Sequence, residues 1–375
     1  MRVLFVTLIL ALLLAQARAE AARSETLDRD QISVGVRDDA RPFIWRDPAT
    51  NDYLGFYWDI CASAVERAGY HLRKTDVDSS RRAGFLNTGE GDFDLLCDPT
   101  TITLKRMQNF AYNGRAPHLE FSPIIFVANG SYLQLQRGTN AAKAAGILPK
   151  DAPVNPSCDA IIKWLEGLGN KPPEEWTWYA ATDTASAPSV TDGGGLLGWL
   201  SDTFDVTLRQ SPEGVGEKTR AFEIWGYVKG STIGETLNDQ APRRSKPNWV
   251  ICPWERPSHQ KAAEDFCDGR LARYFGDVDI IKAAVAEYGE KTAKTCPADE
   301  SATTVGSYEP YAFVMSAHHF PDFPERLTLA LYEMFEDGTI ERLFAGHFPR
   351  TKKSQHLSTL LRINRIPAGA AARND

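Results

Sequence analysis

The apolar positions alternate through Ile32-Ser33-Val34-Gly35-Val36, the period of a half-buried strand, and the pattern breaks at Arg37-Asp38-Asp39-Ala40-Arg41-Pro42-Phe43. A polar hairpin-like stretch ends at Asn51-Asp52. Ile60, Ala64, Val65 and Ala68 then recur at helical spacing, and Gly69 is a natural stop. A second helix carries Phe85 and Leu86, and Phe93-Asp94-Leu95-Leu96-Cys97 predicts a short buried strand. The order β-α-α-β belongs to an open α/β unit. The extended apolar run from Glu120 to Ala128 reads as a strand leaving it.

Regular pattern returns at Ala221–Val228, a strand, followed by Lys229-Gly230-Ser231-Thr232 and a helix through Leu237. Strands at Trp249–Cys252 and Leu271–Phe275 alternate with helices at Ala262–Cys267 and Ile280–Tyr288, which makes a second α/β unit. A strand at Pro310–Met315 and two amphipathic helices, Pro324–Phe335 and Gly338–Phe348, complete the pattern. The segment from about 130 to 220 is different. It carries Trp164, Trp176, Trp178 and Trp199 beside Asn170-Lys171-Pro172-Pro173 and Gly193-Gly194-Gly195, so it reads as a packed insertion with flexible edges.

The first residues change the compartment. Met1-Arg2, an apolar run of about 13 residues and Ala17-Arg18-Ala19 form a cleavable secretory leader, with a run too short for the roughly 20 residues of a membrane span. No Cys follows the cleavage point, so no lipid anchor is expected. About 355 residues remain, more than one core usually holds, so two domains are expected. Loss of Arg2 and Arg18 takes the net charge from −7 to −9, and an acidic chain without a basic run argues against nucleic acid as partner. Six cysteines (Cys61, Cys97, Cys158, Cys252, Cys267 and Cys296) in an exported chain favour disulfides, with 15 full pairings open. None forms a C-x-x-C pair, no His stands at ligand spacing from them, and the adjacent His318-His319 is a poor chelate; no metal or other cofactor is expected.

Several stretches in fixed order resemble the family-3 extracellular solute-binding proteins, the polar amino-acid receptors of ATP-binding-cassette importers. Gly35 through Pro42-Phe43 matches the opening strand and loop, and Gly55-Phe56 to Asp59-Ile60 the G-[FY]-x-x-D-[IL] signature. Asp94-Leu95-Leu96, Thr101 to Arg106 and Asn109-Phe110 resemble the central block. Gly230-Ser231-Thr232, Asp268-Gly269-Arg270 to Asp277, Glu309-Pro310-Tyr311 and Glu336-Asp337-Gly338-Thr339 follow in register. These landmarks span about 31–128 and 222–350; the 130–220 segment lies outside the usual pattern.

The resemblance implies a two-lobed type II periplasmic-binding fold of α/β class, with two hinge crossings near Phe121 and Glu309. Residues 28–125 and 310–350 would form lobe I, 126–309 lobe II with its insertion, and 351–375 a flexible tail. It also implies a ligand site. Arg106 would grip a ligand carboxylate through two parallel charge-assisted bonds, assisted by the Thr101 hydroxyl and by Thr232 at a helix N-terminus of the other lobe. Asp277 would accept from the ligand ammonium, although the same residue also reads as the N-cap before Val278-Asp279-Ile280. Arg37 and Arg82 would meet an acidic side chain, with Arg81 competing for the second place. Asp98-Pro99 departs from the family pattern: Asp98 either pairs with an arginine in the cleft or favours an amine-bearing ligand.

The function implied is capture of an amino-acid-like solute by a monomeric, non-enzymatic periplasmic protein that hands it to a membrane permease. Two alternatives come from other classes. One is an accessory or sensor module that docks a protein through the insertion. The other is a cyclohexadienyl-dehydratase-like enzyme using Asp98 or Glu309 as general acid.

Overall fold

A computed structural model describes residues 30–135, 147–148, 157–167, 220–245, 249–296, 298–300, 305, 308–349 and 351–367. The expected leader, most of the 130–220 segment with Trp176, Trp178 and Trp199, and the residues from 368 onward lie outside the described residues.

The chain opens with β1 (Gln31–Val36) and a small antiparallel sheet of β2 (Asp39–Ala40), β3 (Ile44–Arg46) and β4 (Tyr53–Leu54). Then come α1 (Phe56–Arg67), β5 (His71–Asp76), α2 (Ser79–Thr88), β6 (Leu95–Thr101), α3 (Leu104–Phe110), β7 (Leu119–Phe121) and β8 (Phe126–Leu135). The second half holds β9 (Ile147–Leu148), α4 (Cys158–Gly167), β10 (Arg220–Val228), α5 (Ile233–Arg244), β11 (Trp249–Arg256) and α6 (His259–Cys267). It continues through β12 (Arg273–Asp277), α7 (Val278–Thr292) and β13 (Ala298–Glu300). The chain returns through β14 (Tyr308–Ser316), α8 (Phe323–Glu336), α9 (Thr339–His347) and α10 (Gln355–Asn364).

One mixed sheet runs through both halves in the order β11-β10-β12-β8-β14-β6-β1-β5. Its middle is the antiparallel pair β8 and β14. Phe126–Asn129 pair with Tyr308–Tyr311, after which Gly130–Gln134 turn to β12 while Tyr311–Met315 turn to β6. The chain therefore passes between the halves twice, once along β8 and once along β14. Helices cover both faces of each half, which is why β6 is buried at every position and carries no polar alternation. On the first half α1, α8 and α9 bury Phe56, Ile60, Leu327, Leu331, Met334 and Phe344 in one apolar cluster, each side chain worth about 1.5–3 kcal/mol relative to exposure. On the second, Phe266, Tyr274 and Ile281 lie in a separate core. The six cysteines pair as Cys61–Cys97, Cys158–Cys252 and Cys267–Cys296, so the first half carries one bridge and the second two.

Four expectations need correction. The β-α-α-β order omits β5, whose sequence His71-Leu72-Arg73-Lys74-Thr75-Asp76 is mostly exposed because it is an edge strand paired only to β1. The run from Glu120 to Ala128 is two strands interrupted at Ser122-Pro123, since proline has no amide to donate to a ladder. The strand expected at Leu271–Phe275 lies at Arg273–Asp277, and Leu271 instead packs over Gly226. The expected C-terminal tail is, over 355–364, the packed helix α10, with Leu357 and Leu361 buried in the first core and Asn364 Nδ2 donating to Ile124 O at 2.7 Å. Of the segment 130–220, residues 130–135 are the second part of β8, and Cys158 ties α4 to β11 through Cys252.

Candidate functional site

The carboxyl ends of β1, β6, β10 and β12 face one another between the halves, the position where open α/β sheets hold ligands. Arg37 follows β1; Asp98 and Thr101 lie in the second part of β6; Gly230, Ser231 and Thr232 follow β10; Asp277 ends β12. Two short helices complete the wall. Asp78 caps α2 by accepting from the amides of Ser80 and Arg81, which sets Arg82 on the turn facing the cleft. Thr103 caps α3 by accepting from Arg106 N at 3.2 Å.

A cavity of about 50 Å³ lies at this junction, lined by Arg37, Arg82, Thr101, Arg106, Thr232 and Asp277 together with Glu309 and Tyr311 from β14. Six of the seven expected residues are thus brought together. The seventh, Asp98, is fully buried and holds Arg82. Beside this cavity an open groove of about 550 Å³ runs along α3 and the start of α5. The inner cavity is far below the roughly 300–1,000 Å³ of ordinary ligand pockets, so a solute could enter only if the halves part.

The electrostatics are largely self-contained on the first half. Arg82 Nε donates to Asp98 Oδ2, Thr100 Oγ1 donates to Asp98 Oδ1, and Arg82 Nη2 reaches Thr100 Oγ1 at 3.2 Å. Arg37 donates from Nε and Nη2 to Asp39 Oδ1 at 3.0 and 2.7 Å, while Asp39 Oδ2 accepts from His259 N at 3.0 Å. Burial opposes ionisation of Asp39, but Arg37 and His259 alongside hold its carboxyl at about 2. Arg81, the competitor of Arg82, points away and donates to Asp76 O.

Bonds also span the cleft. Arg82 Nη1 and Arg106 Nη2 both donate to Gly230 O at 3.1 Å, while within the first half Arg106 Nη1 donates to Thr101 O at 2.6 Å. Gly230 sits at φ +74°, a left-handed conformation that turns its carbonyl between the two guanidinium groups and that a side chain would strain. Burial, with Arg82 nearby, pulls the Arg106 guanidinium down to about 10. Ser79 Oγ donates to Pro257 O at 2.7 Å.

Asp277 stands both at the N-terminus of α7 and at the cavity. Its Oδ1 caps α7 by accepting from Asp279 N and Ile280 N at 2.8 and 3.2 Å, and its Oδ2 accepts from Tyr311 OH at 3.3 Å at the cavity wall. Burial pushes its carboxyl up to about 8, with Asp279 and Glu309 adding negative charge and the two amides opposing. Thr232 makes no side-chain cap on α5. Its hydroxyl donates instead to Glu309 Oε1 at 2.7 Å, and Thr101 Oγ1 donates to Glu309 Oε2 at 2.8 Å.

From sequence Glu309 is a candidate only as an acid, and His259, Ser231 and Tyr311 are not singled out, although Ser231 stands in the Gly230-Ser231-Thr232 landmark and Glu309 and Tyr311 in the Glu309-Pro310-Tyr311 landmark. Those two landmarks are the signal that could have found them; His259 has none. No group of three or more His, Cys, Asp or Glu side chains able to hold a metal ion occurs among the described residues. Nor is any of their helices long and apolar enough to cross a membrane.

Comparison with known proteins bears on the fold and the family. An amino-acid transporter substrate-binding protein from Streptococcus pneumoniae bound to L-arginine superposes with a TM-score of 0.50 at 12% identity, over 88% of this chain and 98% of that one. A periplasmic His/Glu/Gln/Arg/opine family-binding protein from Silicibacter pomeroyi in complex with lysine gives 0.50 at 13% identity, over 86% and 99%. An ancestral arginine-binding protein bound to arginine gives 0.50 at 15%, over 85% and 99%. At these identities the likeness shows the type II periplasmic-binding fold. No curated protein matches the chain in sequence. The family model for bacterial extracellular solute-binding proteins, family 3, matches residues 32–350. The chain belongs to that family.

Proposed function

We propose that the chain captures a small amine-bearing, amino-acid-like solute between its two lobes in the periplasm and delivers it, as a monomer, to the permease of an ATP-binding-cassette importer. Lobe I would be residues 28–125 with 310–350, and lobe II 126–309. The observation that carries this reading is the convergence of Arg37, Arg82, Thr101, Arg106, Thr232 and Asp277 on one interlobe cavity. Opening admits the solute; bonds to both walls, available only when the lobes shut, favour the closed form. Asp277 is the anchor for the ammonium, because a cation placed beside this carboxyl would stabilise its ionised form against burial. The acidic-ligand expectation is not carried forward, since Arg37 and Arg82 each already meet a carboxylate of the protein.

Calorimetric titration with lysine and with hexanoate, its counterpart without amines, tests this. Lysine should bind and hexanoate should not. Asp277→Asn is expected to weaken lysine roughly 10- to 100-fold. Measurable binding of hexanoate as tight as that of lysine, or tighter, would sink the reading.

A further inference from the structure

The two hydroxyls expected to receive a ligand carboxylate already hold one. Thr101 from the end of β6 and Thr232 from the start of α5 donate to the two oxygens of Glu309, at 2.8 and 2.7 Å, from opposite walls of the cleft. Glu309 belongs to β14, where it is paired with Ala128 in the strand ladder joining the halves. Its main chain is therefore fixed at the boundary, and only its side chain could leave.

The remaining groups point the same way. Arg106 spends one N–H from each terminal nitrogen on a main-chain carbonyl, of Thr101 and of Gly230, so fewer of its five donors remain for an anion. With their protons given to Glu309, the two threonine hydroxyls offer the cavity only oxygen lone pairs. The Ser231 hydroxyl is buried without a hydrogen-bond partner and lines the same cavity, which Asp277 also faces. An ammonium brings three donors and no acceptor, which the oxygens of Asp277, Glu309 and Ser231 match, while the Arg37 and Arg82 guanidinium groups that also line the cavity are paired with Asp39 and Asp98. A carboxylate brought to Thr101 and Thr232 would find the hydroxyl protons taken and would lie beside Glu309, a desolvated pair of like charges.

We infer that Glu309 is the specificity-determining residue of the cleft: its own carboxylate occupies the place of a ligand carboxylate, so the site takes a primary amine that carries no carboxylate next to it. The inference rests on the amine-capture reading and narrows it from amino acids to their carboxylate-free counterparts. Glu309 thereby supplies from the protein the negative group that a zwitterionic ligand would bring with it. An amine then completes the array on entry, bonding Asp277 and Ser231 from the second lobe and the free lone pairs of Glu309 from the connecting strand.

Matched pairs separate the two classes: lysine against cadaverine, arginine against agmatine, alanine against ethylamine, each titrated calorimetrically into the purified exported protein. The amine of at least one pair should bind at least about tenfold more tightly than its amino acid. Glu309→Gln should cost that amine at least about tenfold and shift the ratio toward the amino acid, and Thr232→Val, which leaves the charge in place, should keep the preference for the amine. Tighter binding of the amino acid by the wild-type protein overturns the inference and leaves amine capture standing; this measurement needs no variant to fold. A Glu309→Gln protein that gains amino-acid binding although the wild type binds no amine also overturns it, because Glu309 would then be a tethered competitor. Failure of every compound to bind removes the amine-capture reading and the inference with it.

Discussion

The first half brings three guanidinium groups to the cleft, Arg37, Arg82 and Arg106, whereas the second brings Asp277, the carbonyls of Gly230 and Pro257, and the hydroxyl of Ser231. Two of the three arginines are already neutralised by carboxylates of their own half, Asp39 and Asp98. The second half offers acceptors, and Asp277 itself accepts from two main-chain amides and the Tyr311 hydroxyl. One wall is therefore settled before a ligand arrives, and the other is completed by one. In such an arrangement, binding free energy comes from closing the second half over the ligand rather than from organising the first.

The largest expected effect lies in the settled wall. Arg82 and Asp98 are almost wholly buried, and Arg82→Ala would strand the Asp98 carboxylate with only the Thr100 hydroxyl to meet it. Loss of one partner of a buried pair costs about 3–5 kcal/mol, so urea unfolding of Arg82→Ala should show a shift of that size. Replacing both together, Arg82→Met with Asp98→Leu, should recover much of it. A single variant with native stability would mean that the first wall is not organised by this pair.

That pair also marks where sequence reading stops. The spacing of Ile60, Ala64 and Val65 gave its helix directly, because burial on one face imposes a period on the chain; the alternation at Ile32–Val36 also marked its strand, although all five residues are buried there. β5 left no such mark, being an exposed edge. At the site, resemblance located Arg106, Thr101, Thr232 and Asp277 in sequence, and the fold brings them to one cavity. What each side chain bonds was not legible. The Asp98–Arg82 bond joins a strand to a helix across 16 residues, and the Thr232–Glu309 bond joins the second wall to the connecting strand across 77. Such pairings depend on register and on helix rotation, which no local pattern encodes.

An effect smaller at each pH step, about 1.4 kcal/mol per unit at most, distinguishes the unsettled wall. Asp277 titrates near 8 in the folded protein against 3.8 for the free group, so between these values the native state keeps a proton that the unfolded chain has lost. Stability from this group is full below about pH 4, falls as pH rises, and levels off above about 8, with a slope of at most about 1.4 kcal/mol per pH unit. Asp277→Asn should remove that slope, as read from urea midpoints collected across the range. Amine binding should follow the opposite course in the wild type and strengthen with pH up to about 8, because the bound cation requires the ionised carboxyl.

The smallest effect belongs to the rim, where the halves also meet through Lys105 and Glu235. Their Nζ–Oε1 distance is 2.5 Å, as short as any charged contact spanning the cleft, yet both side chains are about two-thirds exposed. Distance alone would rank this bridge with Arg82–Asp98; solvent decides otherwise. Water screens the attraction, and two long side chains lose rotamer freedom to hold it, so exposed pairs contribute about 0–1 kcal/mol. Lys105→Ala should leave the urea midpoint nearly unchanged, and ligand affinity should change by less than about threefold at low salt and by less again in 0.5 M salt. Comparable losses from Lys105→Ala and Arg82→Ala would show that closure is governed by charge at the rim, and the contrast between a settled inner wall and a completing outer one would have to be abandoned.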